Sequence, residues 1–377
     1  MKKTGLVGII IFALAATSFA QDNPDTAALN QRIAALYQQG KFKEAIPIAE
    51  KVVGAEKRRE KGEIYAMALS NLAQLQKKYA EQLAGSLAGK DIRQRVLYVD
   101  EISESAGKAK KLFGEAVDQF RTLNLEESMP VASAKAELAS VVYHFIVGKT
   151  AVEARGEIDN AEKLYLESID TFDRLTPTPS DLELKAILSF GDFYRHYVNF
   201  EKAIPLFERY IAAVEHKDGP KSKDLIPALR AMMEIYFITD RDDDAKMTAD
   251  RLSSITGKEE VVVPVWPTLT MRSRGIISPK ESGFFHVGVS DNDSNDIHSM
   301  IALAAEMSST GRVATKKLTV HVVVGENGEV VEAKATTVSK YDKQLEEAAL
   351  ASKFRAFSYN GVARKMRGSI VYSYLDR

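Results

Sequence analysis

From Thr26 to Thr256 the apolar positions recur three and four residues apart, carried mostly by alanine, leucine and tyrosine, and no stretch keeps a two-residue alternation. That spacing predicts a run of amphipathic helices. It stops at Gly257. Pro264 and Pro267 follow within Val261–Pro267, and two prolines in four residues exclude a helix interior. Alternation then takes over: Leu318, Val320, Val322 and Val324 share one face, with Thr319, His321 and Val323 on the other, as in a half-buried strand. Gly325-Glu326-Asn327-Gly328 predicts a hairpin turn, since Asn and Gly both accept positive φ, and Val330 to Val338 predicts the returning strand. From Asp342 to about Phe354 the period is helical again, with Leu345, Ala348, Ala349 and Ser352 as a small-residue stripe. Ile370, Tyr372 and Tyr374 alternate in a last strand. The expected fold class is α+β multidomain: an all-α region over 21–257, a linker with irregular and β segments over 258–311, and a small ββαβ domain over 312–377.

The helical region contains an internal echo. Phe42-Lys43-Glu44-Ala45-Ile46-Pro47 is nearly repeated by Phe200-Glu201-Lys202-Ala203-Ile204-Pro205, each after a Tyr-containing helix and a short polar turn. Each reads as a helix-turn-helix unit with Pro early in its second helix, where a missing N–H is tolerated. Gly191, Tyr194, Ala203 and Phe207 alternate small and aromatic, so that small residues let the paired helices approach and aromatics fill the gap to the next pair. In this spacing the region resembles a tetratricopeptide-repeat (TPR) solenoid. Further units are marked by Ala161 with Tyr165 and by Tyr236 with Ala245. Ala203 minus Ala161 and Ala245 minus Ala203 both give 42 residues, longer than the roughly 34 of the standard repeat, so extended helices are expected. Ala109, Phe113 and Ala116 suggest another unit, with a lengthened or irregular region from about Lys78 to Ser105. About five repeats result; an unrelated helical bundle is the alternative.

The strand and turn Val320 to Ala333, the helix Leu345-Glu346-Glu347-Ala348-Ala349-Leu350, Phe354 and Asn360-Gly361 together resemble the C-terminal domain of the TonB family. This chain departs from the family pattern at Ser352 and Ala356, where a tryptophan and a proline are usual, and it lacks a recognisable entry motif before the first strand. The resemblance implies a docking module whose last strand, here Ser369, Ile370, Val371, Tyr372, Ser373, Tyr374 and Leu375, lies at a sheet edge and accepts an extended segment from an outer-membrane transporter or another envelope protein. The alternative is that the strand-like Phe284 to Val289 covers that edge.

The N-terminus adds a location. Lys2 and Lys3, an apolar run from Gly5 to Ala16, and Ser18-Phe19-Ala20 read as a signal peptide over 1–20, cleaved after Ala20, which places the mature protein in the periplasm. An uncleaved anchor is the alternative, although the apolar run falls short of the roughly 20 residues a span requires. Composition narrows the chemistry. Lys+Arg 51 against Asp+Glu 52 leaves no basic excess for nucleic acid, and the absence of cysteine removes thiol catalysis, cysteine-ligated metal and disulfides. His144, His196, His216, His286, His298 and His321 show no metal-ligand spacing, and Asp291 to Asp296 lacks the glycine and bidentate glutamate of a calcium loop. No catalytic residues, cofactor or metal are therefore expected. The expected function is that of a periplasmic adaptor binding proteins or peptides through a helical groove and a sheet edge. An atypical TonB-type energy transducer is the second expectation, opposed by the missing anchor and Pro-rich spacer.

Overall fold

The computed structural model describes residues 24–58, 62–87, 92–145, 151–262, 264, 266–267, 285–286, 315–336, 342–354 and 356–375. The signal segment, Asp291 to Asp296, Val338 and His298 lie outside them. Among the described residues ten helices fill the span to Thr256 as consecutive pairs: α1 (Pro24–Gln38) with α2 (Phe42–Lys57), α3 (Glu63–Gly85) with α4 (Ile92–Thr122), α5 (Met129–His144) with α6 (Ala151–Leu175), α7 (Asp181–His196) with α8 (Phe200–Asp218), and α9 (Ile226–Ile238) with α10 (Asp242–Thr256). The extra length between the first two units is helical: α3 and α4 run for 23 and 31 residues.

The reversals at the ends of α1, α4, α7 and α9 share one geometry. Gly40, Asn124, Val198 and Asp240 all take positive φ, and the next residue returns its N–H to the last helical turn, as in Lys41 N to Leu36 O at 2.9 Å and Asn199 N to Tyr194 O at 2.8 Å. Three of the four are residues that accept this conformation. Val198, at φ 56°, is not, because its branched Cβ crowds the following carbonyl. Val198→Gly is therefore expected to raise the free energy of unfolding by about 1 kcal/mol, measured by urea denaturation; an unchanged or lower value contradicts this account.

The small residues of the repeat are buried. Ala45, Ala161, Ala203 and Ala245 are all fully buried. A Cβ at Gly191 would lie 2.8 Å from the Phe207 ring, so the glycine makes room for that aromatic. Tyr165 and Phe207 are fully buried and Tyr194 nearly so. Tyr236 is different. It is half-exposed beneath the Arg241 guanidinium, 4.3 Å from its ring centre, while Ile235 and Ile238 occupy the core. Pro47 and Pro205 also depart from expectation. Both are the sixth residue of their helices, past the first turn, so each removes one i→i−4 hydrogen bond.

The described residues form two compact units, divided inside α7 between Phe190 and Gly191. In the first, Ile33, Ala45, Ala49, Val52, Ala68, Leu72 and Leu75 join α1 to α3, and Ala73, Ala109, Phe113, Val117, Ala134 and Val141 join α3 to α5. The second unit holds α8 to α10 and the C-terminal sheet.

The sheet has the order β1-β6-β2-β3, built from β1 (Phe285–His286), β2 (Thr315–Val324), β3 (Val330–Ala335) and β6 (Met366–Leu375). β2 pairs antiparallel with β3, Val322 opposite Ala333, and with β6, Val320 opposite Ile370. Leu318, Val320, Val322 and Val324 are buried as their alternation requires, against Leu345 and Ala349 of α11 (Asp342–Leu350), among others. A hairpin of β4 (Phe357–Tyr359) and β5 (Val362–Arg364) precedes β6, turning at Asn360 and Gly361, both at positive φ. The β2–β3 turn is longer than a two-residue type. Gly328 N donates to Gly325 O at 2.9 Å and Gly325 N to Glu329 O at 2.7 Å, with Gly328 at φ 85° while Asn327 stays out of the left-handed region.

Candidate functional site

The first unit carries a row of polar side chains on the first helices of its hairpins. Asn71, Gln74, Lys77, Lys78 and Glu81 recur at three-and-four spacing on α3 and so share one face. Lys77 and Glu137 of α5 are buried, their side chains each 6% exposed, and Lys77 Nζ lies 2.7 Å from Glu137 Oε2 and 2.7 Å from Ser140 Oγ. Lys185 of α7 closes on the other Glu137 oxygen. One carboxylate thus ties α3, α5 and α7 together. Burial opposes its ionisation, but the Lys185 and Lys77 ammonium groups overcome this and hold the Glu137 carboxyl well below the usual range. Burial likewise works against the Lys77 charge, and Glu137 outweighs it. Lys185 ends below the ordinary lysine value, because burial exceeds what Glu137 restores. Nearby, the Tyr165 and Ser189 hydroxyls meet at 2.7 Å, and burial pushes the Tyr165 phenol up.

Beside this tied core, two amides are unsatisfied. Among the described residues, Asn71 Oδ1 and both Gln74 amide atoms make no hydrogen bond of ordinary geometry, although both residues are buried; the Tyr37 hydroxyl interacts with the Gln74 side chain. A buried amide left unpaired costs on the order of 1–3 kcal/mol. A primary amide presents one acceptor and two donors, which is the complement of an extended polypeptide backbone. The signal was present in the sequence as a polar stripe within an otherwise apolar helix.

In the second unit, Ser369 to Leu375 does not form an open margin. β6 lies inside the sheet, between β1 and β2. On its outer side Phe285 pairs with Ser373 and His286 with Tyr372, Ser369 N donates to Pro267 O at 2.8 Å, and Ser369 Oγ to Trp266 O at 3.1 Å. The chain covers Ser369, Tyr372 and Ser373 itself, so the expectation of an open edge strand is corrected at these positions. Ile370 and Val371 are buried. The opposite margin, at β3, is also tied: Ala335 N donates to Glu346 Oε1 at 2.9 Å and Val330 N to Ser352 O at 3.4 Å.

Trp266 sits between two rings. It stacks on His321 with centroids 4.4 Å apart and planes 10° apart, and meets the edge of Phe237 at 6.0 Å and 83°. Burial holds the His321 imidazole below its ordinary value, so the ring is predominantly neutral at pH 7. Phe237 is fixed in turn by Arg367 at the start of β6. That guanidinium lies 4.5 Å from the Phe237 ring centre, donates to Phe237 O at 2.7 Å, and bridges Asp240 and Asp242 at 2.7 Å each. Hydrogen bonding from Arg367 holds the Asp242 carboxyl below its usual value. Phe357 meets Phe200 at 6.0 Å, and the Tyr359 hydroxyl donates to Glu208 at 3.4 Å, so β4 is also seated on α8. Sequence reasoning missed this seam, since one arginine and two aromatics in short strands carry no periodic signal.

Arg367→Ala should lower the free energy of unfolding by about 2 kcal/mol, since it removes hydrogen bonds to charged groups from a side chain that is only 15% exposed. Arg367→Lys should recover less than half, because a point charge cannot bridge both carboxylates and stack on a ring. Equal stability of the three proteins in thermal melts would show that the seam is not a stabilising contact.

Among the described residues no group of three or more His, Asp or Glu side chains is placed to hold a metal ion, and no helix is long and apolar enough to cross a membrane.

No protein-family model matches this sequence, and no curated protein matches it. Solved structures do. A crystal structure described as Podosopora anserina putative kinesin light chain nearly identical TPR-like repeats is 13% identical over 63% of this chain and 98% of its own, with a TM-score of 0.45. BtubC from P. vanneervenii is 20% identical over 62% of this chain and 99% of its own, with a TM-score of 0.37. The helical repeat here rests on the burial and spacing of this chain's own positions.

Proposed function

We propose that this protein is a protein-binding scaffold of TPR type whose first helices take up an extended peptide along the row led by Asn71 and Gln74. The observation that carries this reading is the pair of buried amides with unsatisfied atoms, which a partner's backbone reaches once the neighbouring helices part, beside a network of three lysines and two glutamates. The network fixes α3, α5 and α7, and the amides are left with hydrogen-bonding capacity for a partner's backbone. The signal-like N-terminus adds that the scaffold works in the periplasm, starting at Gln21 after cleavage. The order β2, β3, α11, β6 supports a TonB-like ancestry for the C-terminal sheet, with the β4–β5 hairpin added before the last strand and an envelope protein as the partner class.

The test is in-cell photocrosslinking of the full chain followed by mass spectrometry, comparing wild type with Asn71→Ala/Gln74→Ala. The double variant should fold at least as stably, because it removes unsatisfied polar groups, yet lose the partner recovered by wild type by about tenfold, as expected for two lost backbone hydrogen bonds. Recovery of the same partner at the same level by both proteins, or of none by either, would reject the reading.

A further inference from the structure

We infer that this protein self-associates through the outer side of β3, which pairs antiparallel with the same strand of a second copy about a two-fold axis at Ala333, so that each Glu332 meets the other copy's Lys334. This goes beyond the peptide-binding reading and stands on different residues.

β3 ends the sheet on the side away from β6. Thr336 N donates to Thr319 O at 2.9 Å, and along an antiparallel ladder the residues that bond to the neighbour alternate with residues whose backbone faces away from it. Lys334 and Glu332 therefore turn their backbone toward β2, opposite His321 and Val323, while Ala333 and Ala335 turn theirs outward. Ala335 N is taken by Glu346, and Val330 N, past the irregularity at Val323 and Val324, by Ser352. Between these two ties, no other described residue hydrogen-bonds the outward N–H and C=O of Ala333.

Charge ordinarily protects such an edge, because a second copy brings the same sign. Here the two charges are opposite and stand one residue to either side of Ala333. Glu332 and Lys334 are both exposed, and neither forms an ion pair among the described residues; the longer-range pull of Glu332 on Arg367 crosses β2. With Ala333 opposite its own counterpart, the two alanines exchange N–H and C=O, and Glu332 falls opposite Lys334 in the non-hydrogen-bonded pair, where side chains lie closest. Opposite charges so placed favour pairing and like charges oppose it. The pattern also selects the register: pairing centred on either neighbour would set Glu332 against Glu332 or Lys334 against Lys334.

Sedimentation velocity of the full-length protein over a concentration series tests this. Wild type should pass from monomer to dimer as concentration rises. Lys334→Glu sets two pairs of carboxylates against each other, so its dimer should be weaker by about tenfold or more. Glu332→Lys should do the same with two pairs of ammonium groups. The double variant Glu332→Lys/Lys334→Glu restores both attractive pairs and should associate as wild type does. An equimolar mixture of the two single variants should form a heterodimer, since each supplies the charge that the other lacks. The register is read separately. The chain has no cysteine, so Ala333→Cys introduces one thiol, and diamide should join it to its counterpart, because directly opposed Cα atoms lie within disulfide reach. Thr336→Cys, three residues off the axis, should stay unlinked. A wild type that is monomeric at every concentration, single variants that associate as tightly as wild type, a double variant as weak as the single ones, or linkage of Thr336→Cys in place of Ala333→Cys overturns the inference. No partner protein enters these readings, so they stand apart from the crosslinking result.

Discussion

Glu137→Ala should be among the most damaging single substitutions in the helical region, lowering the free energy of unfolding by about 3–5 kcal/mol. The reason is what it leaves behind. Lys77 keeps a side chain that is 6% exposed and loses its closer carboxylate, retaining Glu81 at 3.6 Å, and Lys185 loses the partner that offsets its burial. Replacing all three together by apolar residues of similar size, Lys77→Met, Glu137→Leu and Lys185→Met, should restore stability to near wild type, because the desolvation cost disappears along with the attraction. The pH dependence follows from the lowered carboxyl value of Glu137. Its contribution is complete above the unfolded glutamate value of about 4.3 and is lost as pH falls toward the folded value. Wild type should therefore lose stability below about pH 4 more steeply than Glu137→Ala. Urea midpoints at pH 7 and pH 3 check both statements. If the single variant is as stable as wild type, or the triple variant as unstable as the single one, the tie among the three helices is not what holds this region.

Gly328→Ala should cost about 3 kcal/mol or more, combining the strain of a left-handed alanine with overpacking against backbone. At φ 85° a Cβ would stand 2.2 Å from Phe354 O and 3.2 Å from Ala356 N. Neither atom belongs to a flexible side chain. The same approach also carries the hydrogen bond from Phe354 N to Gly328 O at 2.7 Å, which attaches the exit of α11 to the β2–β3 turn. The glycine is thus where two backbones touch. Loss of sheet resonances or a lowered melting temperature in Gly328→Ala is the expected readout. A contrasting control is Gly361→Ala: its φ is also positive, at 73°, but a Cβ there would meet no atom within 4 Å, so only the conformational cost of about 1 kcal/mol applies.

Much of this architecture was legible in the residues. The three-and-four spacing located the helical span, and Ala45, Ala161, Ala203 and Ala245, expected as small positions between paired helices, are all buried. The alternation of Leu318 to Val324 fixed which face of β2 is buried. What stayed hidden lacked a period. Strands β4 and β5, at three residues each, are too short to alternate, and only Asn360-Gly361 betrays them. Tyr236 sits at the spacing of a core residue, but a phenol beside Arg241 and Tyr359 is stabilised at the surface, and the two isoleucines take the interior. The coverage of β6 by Trp266–Pro267 and by Phe285–His286 depends on contacts between 86 and 103 residues apart along the chain, which no local pattern encodes. The pairing of Lys77, Glu137 and Lys185 is of the same kind.

Helical arrays commonly lengthen or shorten by whole units, since each unit touches only its neighbours. A carboxylate on α5 that serves lysines on both α3 and α7 removes that freedom in the middle of this one. Inserting or deleting a pair between them would strand at least one charge in an apolar interior, so a unit added within the α3–α7 block should cost more stability than one added outside it.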